Sequence, residues 1–114
     1  MAREIEFRGW DMPGKRWMNE HSVYALLKER QMTGHDYGRR YSIEQFTGLR
    51  DKNGKKIFKG DILETDVDGV GRKLRSVVAW SDELPGFYHR LPVRQWSHLI
   101  VIGNIHENGD LLED

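Results

Sequence analysis

The chain has 114 residues, with 18 Lys and Arg, 18 Asp and Glu, and no cysteine. This length predicts a single domain over residues 1–114. The zero net charge argues against a broad electrostatic attachment to DNA or anionic lipid, and the missing cysteines exclude disulfides, thiolate zinc sites and cysteine nucleophiles. The absence of cysteine predicts a cytoplasmic protein. No segment approaches the roughly 20 apolar residues of a membrane helix or resembles a signal peptide, so we expect no membrane contact.

The first predicted elements are a hairpin and a helix. Residues 3–10 alternate apolar and charged side chains as a half-buried strand does, and Pro13-Gly14 supplies a turn before a return strand. Residues 22–32 have apolar side chains near helical spacing, with Ser22 as the candidate cap. A glycine-bearing loop follows, so residues 20–42 are predicted to form a variable helix and loop insertion.

Short strands are predicted for most of the remaining chain, at residues 41–49, 61–67, 76–80, 87–91 and 99–105. The last of these, LIVIGNI, is apolar and β-branched, which favours a buried strand. About six or seven strands and one helix predict a mainly β fold, α+β at most. We expect a small SH3-like barrel or a strongly bent antiparallel sheet with one short helix and an irregular N-terminal insertion.

The central stretch QFTGLRDKNGKKIFKGDILETD, residues 45–66, combines turn residues with lysines. Asn53-Gly54 is the strongest hairpin signal in the chain and predicts the positive φ angles of a tight turn, with Asp51 bonding back to the turn amides. Gly60 allows a second bend that Asp61 caps. These residues and Gly48 therefore have a structural explanation as turns that mark the fold.

The lysines around this hairpin allow two interpretations. They form, with two later cations, a candidate nucleic-acid contact that consists of Lys52, Lys55, Lys56, Lys59, Arg72 and Lys73. The simpler explanation is a solvated hairpin whose lysines keep an edge strand from aggregating. The simpler explanation is favoured, because the aromatic residues that base stacking requires are few here, and Phe46 and Phe58 are expected in the core.

Catalytic and metal-binding patterns are weak throughout the sequence. The five histidines lack metal-ligand spacing, although His35-Asp36 and His106-Glu107 are conceivable pairs, and no serine lies in a nucleophile elbow. We therefore expect no enzyme activity, no cofactor and no metal. Trp10 and Trp80 each precede a turn and are predicted to lie in the core. Trp96 is predicted to join an exposed apolar patch, a candidate interface formed by Phe87, Tyr88, Leu91 and Trp96.

Three stretches together resemble the YopX protein family of phage and prophage proteins. FRGWD at residues 7–11, QFTGLRDKNGKKIFKGDIL at 45–63 and VIGNIHEN at 101–108 are similar to its opening, central and closing motifs. Gly109-Asp110 departs from the proline that usually follows the closing motif. The resemblance implies a phage or prophage origin and a mainly β domain that self-associates, but it implies no reaction.

The sequence thus predicts a non-enzymatic module that acts in the bacterial host cytoplasm. We expect it to form a homo-oligomer and to bind a host or phage protein, because the charges balance and aromatic residues cluster at 87–96. The alternative is a nucleic-acid-binding accessory protein that uses the basic hairpin.

Overall fold

The structure of the protein is a computed structural model that describes residues 6–33, 40–66, 69, 71–81, 83 and 86–112. The chain forms two compact units, Met1–Phe46 and Thr47–Asp114. That the whole chain acts as a single domain stays a prediction. The predicted pair His35-Asp36, the beginning of the first predicted strand and most of the predicted loop at 33–40 lie outside the described residues.

The first unit contains a hairpin, a helix and a longer strand. These elements are β1 (Phe7–Asp11), β2 (Arg16–Trp17), α1 (Glu20–Thr33) and the first part of β3 (Tyr41–Arg50). Strand β1 lies between β2 and β3 and pairs antiparallel with both. The predicted first hairpin is therefore present, with its turn closed by hydrogen bonds from the Lys15 amide to the Asp11 carbonyl (2.8 Å) and from the Gly14 amide to Asp11 Oδ1 (3.2 Å).

Helix α1 begins earlier than its apolar spacing predicts, at Glu20. The side chain of Asn19, not that of Ser22, caps it, because Asn19 Oδ1 accepts a hydrogen bond of 2.8 Å from the Ser22 amide. Asn is among the preferred N-cap residues because its short side chain can satisfy an amide that lacks a partner within the helix. The prediction of Ser22 as the cap is therefore wrong. Val23, only 1% exposed, anchors the helix in this unit.

Gly9 allows the helix to lie close to strand β1. A Cβ atom at Gly9 would lie 3.0 Å from Met18 Sδ, 3.0 Å from Val23 Cγ2 and 3.1 Å from Ile43 Cδ1. These distances are shorter than ordinary van der Waals contact, so the absence of a side chain at Gly9 is what leaves room for its apolar neighbours.

The variant Gly9→Val is expected to lower the free energy of unfolding by about 1–3 kcal/mol, the usual range for overpacking a filled site. Urea denaturation measures the change. Gly109→Val is the matched control, since a Cβ at Gly109 meets nothing within 4 Å. Equal stability of the two variants would contradict the packing that we assign to Gly9.

The second unit is built from the end of β3 and six further strands. They are β4 (Lys56–Phe58), β5 (Asp61–Asp66), β6 (Lys73–Val77), β7 (Ala79–Ser81), β8 (Gly86–Tyr88) and β9 (Ile100–Asn104). Strand β4 neighbours β3, β5 lies between β6 and β9, and β7 pairs with β8. The pairings of β5 with β6, β5 with β9 and β7 with β8 are antiparallel. Two 3₁₀ helices, Trp96–His98 and Gly109–Leu112, flank β9.

The core of the second unit lies among its strands and the segment before β9. Its buried members are Ile57, Leu63, Val78, Leu91, Leu99 and Val101. Together with the nine strands and one α-helix found in the described ranges, this arrangement confirms the predicted mainly β fold. No helix within those ranges is long and apolar enough to cross a membrane.

The predicted strand over residues 76–80 is two strands, β6 and β7, separated by Val78. The Val78 amide donates to the Asp61 carbonyl (2.9 Å), and the Gly60 amide donates to the Val78 carbonyl (2.9 Å). Trp80 follows the break and is 43% exposed. The prediction that Trp80 lies in the core is therefore wrong, whereas Trp10 is buried as predicted.

Candidate functional site

The Asp51 carboxylate organises the central hairpin. Its Oδ1 accepts hydrogen bonds from the amides of Asn53 (2.9 Å) and Lys55 (2.8 Å), and its Oδ2 accepts one from the Val101 amide (2.9 Å) in β9. The Lys52 amide also donates to the Leu99 carbonyl (2.8 Å). Asp51 is only 5% exposed, so one buried carboxylate both closes the turn and bonds the hairpin to the sheet.

The turn itself differs in one detail from the sequence prediction. Gly54 has a φ of 81°, but Asn53 is not among the residues with positive φ. The Gly54 amide donates to the Asp51 carbonyl (3.0 Å), and the Asp51 amide donates to the Lys55 carbonyl (2.8 Å). This is the pattern of a three-residue hairpin loop that ends on a left-handed glycine, which explains why only one of the two residues needs a positive φ.

Gly60 and Asp61 form the second bend. Gly60 has a φ of 89°, and Asp61 Oδ2 accepts a hydrogen bond of 2.7 Å from the Phe58 amide. Asp61 is 2% exposed. Gly48, with a φ of 86° inside β3, is the third position with left-handed backbone in this segment. Each of these residues has a structural role in a turn or an irregular strand.

The candidate nucleic-acid residues divide into separate groups. Lys52 and Lys55 are exposed at the hairpin tip, while Lys56 and Lys59 lie in and after β4. Lys73, preceded by Arg72, begins β6 and pairs with Asp66 at 3.5 Å. The hairpin tip is hydrogen-bonded to Leu99, which immediately precedes β9, and β5 lies between β9 and β6. The strands β5 and β9 therefore separate Lys52 from Lys73.

The predicted interface residues meet around one open cleft. This aromatic cleft has a volume of about 430 Å³ and is lined by residues 87–89, 91–94 and 96. Phe87 and Trp96 are partly buried against the core of the second unit, and Tyr88 is 38% exposed. Leu91 is 8% exposed and belongs to that core. The prediction of Leu91 as an exposed residue is therefore wrong, because its side chain completes the packing beneath the cleft.

A second cleft adjoins the aromatic cleft at Trp96. This hairpin cleft has a volume of about 570 Å³ and is lined by residues 48–50 and 94–97. Arg94 and Trp96 line both clefts. Arg50 brings a second guanidinium to the region, and its Nη1 donates to the Gly54 carbonyl at 3.1 Å. The result is an apolar surface around one indole, with an arginine from each of two distant segments.

His89 supports the aromatic cleft from one side. Its Nδ1 accepts a hydrogen bond of 3.0 Å from the Leu91 amide, and its ring packs edge-on against Trp96 with centroids 4.7 Å apart. Burial lowers the pKa of the His89 imidazole below its ordinary value of 6.5. An acceptor at Nδ1 requires the neutral ring with its hydrogen on Nε2, so protonation removes the bond to Leu91.

Acidification is therefore expected to destabilise the protein through His89. The unfolded chain binds the proton near pH 6.5 and the folded chain only at lower pH, so the stability that His89 provides is present above pH 6.5 and is lost as the pH falls through the window below it. Urea midpoints measured from pH 7.5 to pH 5 should fall more steeply for the wild type than for His89→Asn. This variant keeps an acceptor but cannot titrate, and parallel profiles would contradict the role of His89.

The closing motif has a structural explanation. Asn104 Oδ1 accepts hydrogen bonds from the amides of His106 (3.0 Å) and Glu107 (2.9 Å), and Asn104 Nδ2 donates to Glu107 Oε1 (3.0 Å). The conceivable ligand pair His106-Glu107 is thus part of an Asx turn. Within the described ranges, no group of three His, Asp or Glu side chains is placed to hold a metal ion.

Sequence reasoning missed Arg50, Arg94 and Leu49 as residues of the clefts. Arg94 carries a local signal, since it precedes Trp96 by two positions in an irregular segment. The sequence gives no such signal for Arg50 or Leu49. They lie near Trp96 because the hairpin is hydrogen-bonded to Leu99, the residue before β9.

Comparisons with known proteins give a family and a structural relative. A family model described as YopX protein matches residues 6–113. The solved structure entitled crystal structure of protein EF1440 from Enterococcus faecalis is similar, with 25% sequence identity and a TM-score of 0.66 over 98% of this chain and 100% of that chain. No curated protein matches.

Proposed function

The chain belongs to the YopX protein family, and from this premise we propose that it is a non-enzymatic, phage- or prophage-encoded protein of the bacterial cytoplasm. It acts by self-association and by binding a host or phage protein. The observation that supports this proposal most strongly is the pair of clefts that meet at Trp96. Large aromatic residues and arginine are the residue types that dominate the energetics of protein interfaces.

The packing beneath the clefts favours binding without a large loss of conformational entropy. Phe87, Val93 and Trp96 pack against the buried core, and His89, which also lines the aromatic cleft, packs edge-on against Trp96. Side chains held in this way lose little further freedom when a partner binds, which raises affinity for a given buried area. An aromatic cleft whose side chains already pack against the core therefore suits the binding of a partner side chain.

Nucleic-acid binding is the less favoured alternative. A nucleic-acid site needs cations that follow the phosphate backbone together with aromatic faces for the bases. The candidate cations divide between the hairpin and the beginning of β6, where Lys73 already pairs with Asp66. The chain as a whole also has no excess of positive charge.

The test is affinity capture of partner proteins from cells that make the protein, with the wild type and two variants as the three baits. The wild type and Tyr24→Ala should retain the same partner, and Trp96→Ala should lose it. Tyr24 is the matched control because it is an aromatic residue 41% exposed on α1. Retention of identical proteins by all three baits would contradict binding at Trp96.

Self-association is tested separately by light scattering of the purified protein. We expect a mass above that of a single 13.4 kDa chain at tens of micromolar. A strict monomer over this range would remove self-association from the proposal and leave binding to another protein.

A further inference from the structure

We propose that the surface formed by the aromatic cleft and the hairpin cleft binds a short segment of another protein in which a large apolar side chain is flanked by Asp or Glu. This inference rests on the proposed function, since it assigns the class of partner that the same surface takes. It goes further because it states which residue types the partner must present.

The charge of the surface favours carboxylates on the partner. Arg94 lines both clefts and Arg50 lines one of them. No Asp or Glu from the described part of the chain lines either cleft. Asp51, which follows Arg50, is 5% exposed and accepts hydrogen bonds from three backbone amides, so its carboxylate is turned into the protein.

The guanidinium of Arg50 has a defined position at this surface. Its Nη1 donates to the Gly54 carbonyl at 3.1 Å, so the arginine is held against the hairpin tip. The exposed residues Lys52 and Lys55 lie in the same loop. Because exposed cations from the hairpin and from residue 94 lie near the same apolar surface, a partner with carboxylates on both sides of its anchor is electrostatically complementary.

The apolar part of the surface favours a large side chain as the anchor. Trp96 forms a wall common to both clefts, Phe87 lies in the aromatic cleft, and Leu49, 42% exposed, lies in the hairpin cleft. Because both clefts are open and these apolar side chains lie beside arginines, the surface suits an anchor residue that packs against Trp96 while charged neighbours stay at the rim.

A peptide fits these features better than a nucleic acid does. The aromatic rings pack edge-on against each other, with interplanar angles of 74° for His89 and Trp96 and 77° for Trp80 and Phe87. Rings packed in this way form the side of a cleft. They do not present the parallel exposed faces on which successive bases stack. The surface therefore suits one buried anchor with charges around it.

A displayed library of random eight-residue peptides tests the inference with four baits: wild type, Arg94→Glu, Lys28→Glu and Trp96→Ala. The wild type should enrich sequences with a large apolar residue flanked by Asp or Glu. A synthetic peptide of the enriched sequence should bind Arg94→Glu about tenfold more weakly than the wild type at low salt, as expected for a close interfacial charge pair. Lys28→Glu reverses an exposed cation in the first unit and should bind within about twofold of the wild type.

The other outcomes overturn the inference in distinguishable ways. Trp96-dependent enrichment of neutral or basic sequences overturns the inference alone. An absence of Trp96-dependent enrichment contradicts the proposed binding at Trp96 as well when neither a Trp96-dependent dimer nor a Trp96-dependent captured partner is found. A labelled single-stranded oligonucleotide that binds and loses affinity with Arg94→Glu, while no peptide is enriched, assigns the surface to nucleic acid. A Trp96-dependent dimer that enriches no peptide assigns it to a second copy of this chain.

Discussion

Replacement of Asp51 by alanine is expected to lower the free energy of unfolding by about 3 kcal/mol or more. The variant leaves the amides of Asn53, Lys55 and Val101 without their acceptor, and each unsatisfied amide that stays away from water destabilises the folded state by about 1–3 kcal/mol. The upper end of this range is not expected for all three amides, because water can reach the two turn amides at the exposed tip. Urea denaturation measures the change.

Asp110→Ala is the matched control, since Asp110 is an exposed aspartate in the 3₁₀ helix after β9. It should change the stability by less than about 0.5 kcal/mol, as surface substitutions usually do. Asp51→Asn should recover part of the stability, because its amide oxygen accepts but its NH₂ group faces donors. An Asp51→Ala variant as stable as the control would contradict the bonding that we assign to Asp51.

The second large effect is expected for partner binding by Trp96→Ala. Truncation of a central interface tryptophan usually weakens binding by about 2–4 kcal/mol, which corresponds to a loss of roughly 30-fold to 1,000-fold in affinity. Trp96 lines both clefts, so its removal changes the wall that they share. The dissociation constant of the captured partner, measured by isothermal titration, gives the loss.

A stability effect must be separated from this binding effect, because Trp96 also packs against the core. An NMR amide spectrum shows whether Trp96→Ala remains folded. Trp96→Phe retains an aromatic ring and should lose less affinity than the alanine variant, while Tyr24→Ala should keep the affinity of the wild type. Unchanged affinity in folded Trp96→Ala would remove Trp96 from the binding surface.

The fold could be predicted where local sequence determines local structure. Alternating residues predicted the first strand, Pro13-Gly14 predicted its turn, and the Asp51 to Gly54 segment predicted a hairpin because aspartate and glycine have strong backbone preferences in turns. The predicted helix boundary is wrong because Asn19, three positions before the predicted cap Ser22, also has a good capping side chain, and only the geometry shows which of the two accepts the amide hydrogen bond.

The site could be predicted only in part, for a different physical reason. Phe87, Tyr88, Leu91 and Trp96 are close in sequence, so their proximity was predictable from one segment, although the burial of Leu91 was not. Arg50 lies more than 40 positions before Arg94. Their meeting depends on long-range hydrogen bonds between the hairpin and β9, which the residues of neither segment specify alone.

Site-specific photo-crosslinking in cells tests the central claim, that the surface around Trp96 binds protein, most directly. A benzophenone side chain replaces Tyr88, which is 38% exposed in the aromatic cleft, or Tyr24, which is 41% exposed on α1 and serves as the matched control. We predict a discrete protein adduct from position 88 that disappears when Trp96→Ala is added, and no such adduct from position 24. Adducts of equal yield from both positions, or an adduct at 88 that persists without Trp96, would contradict the claim.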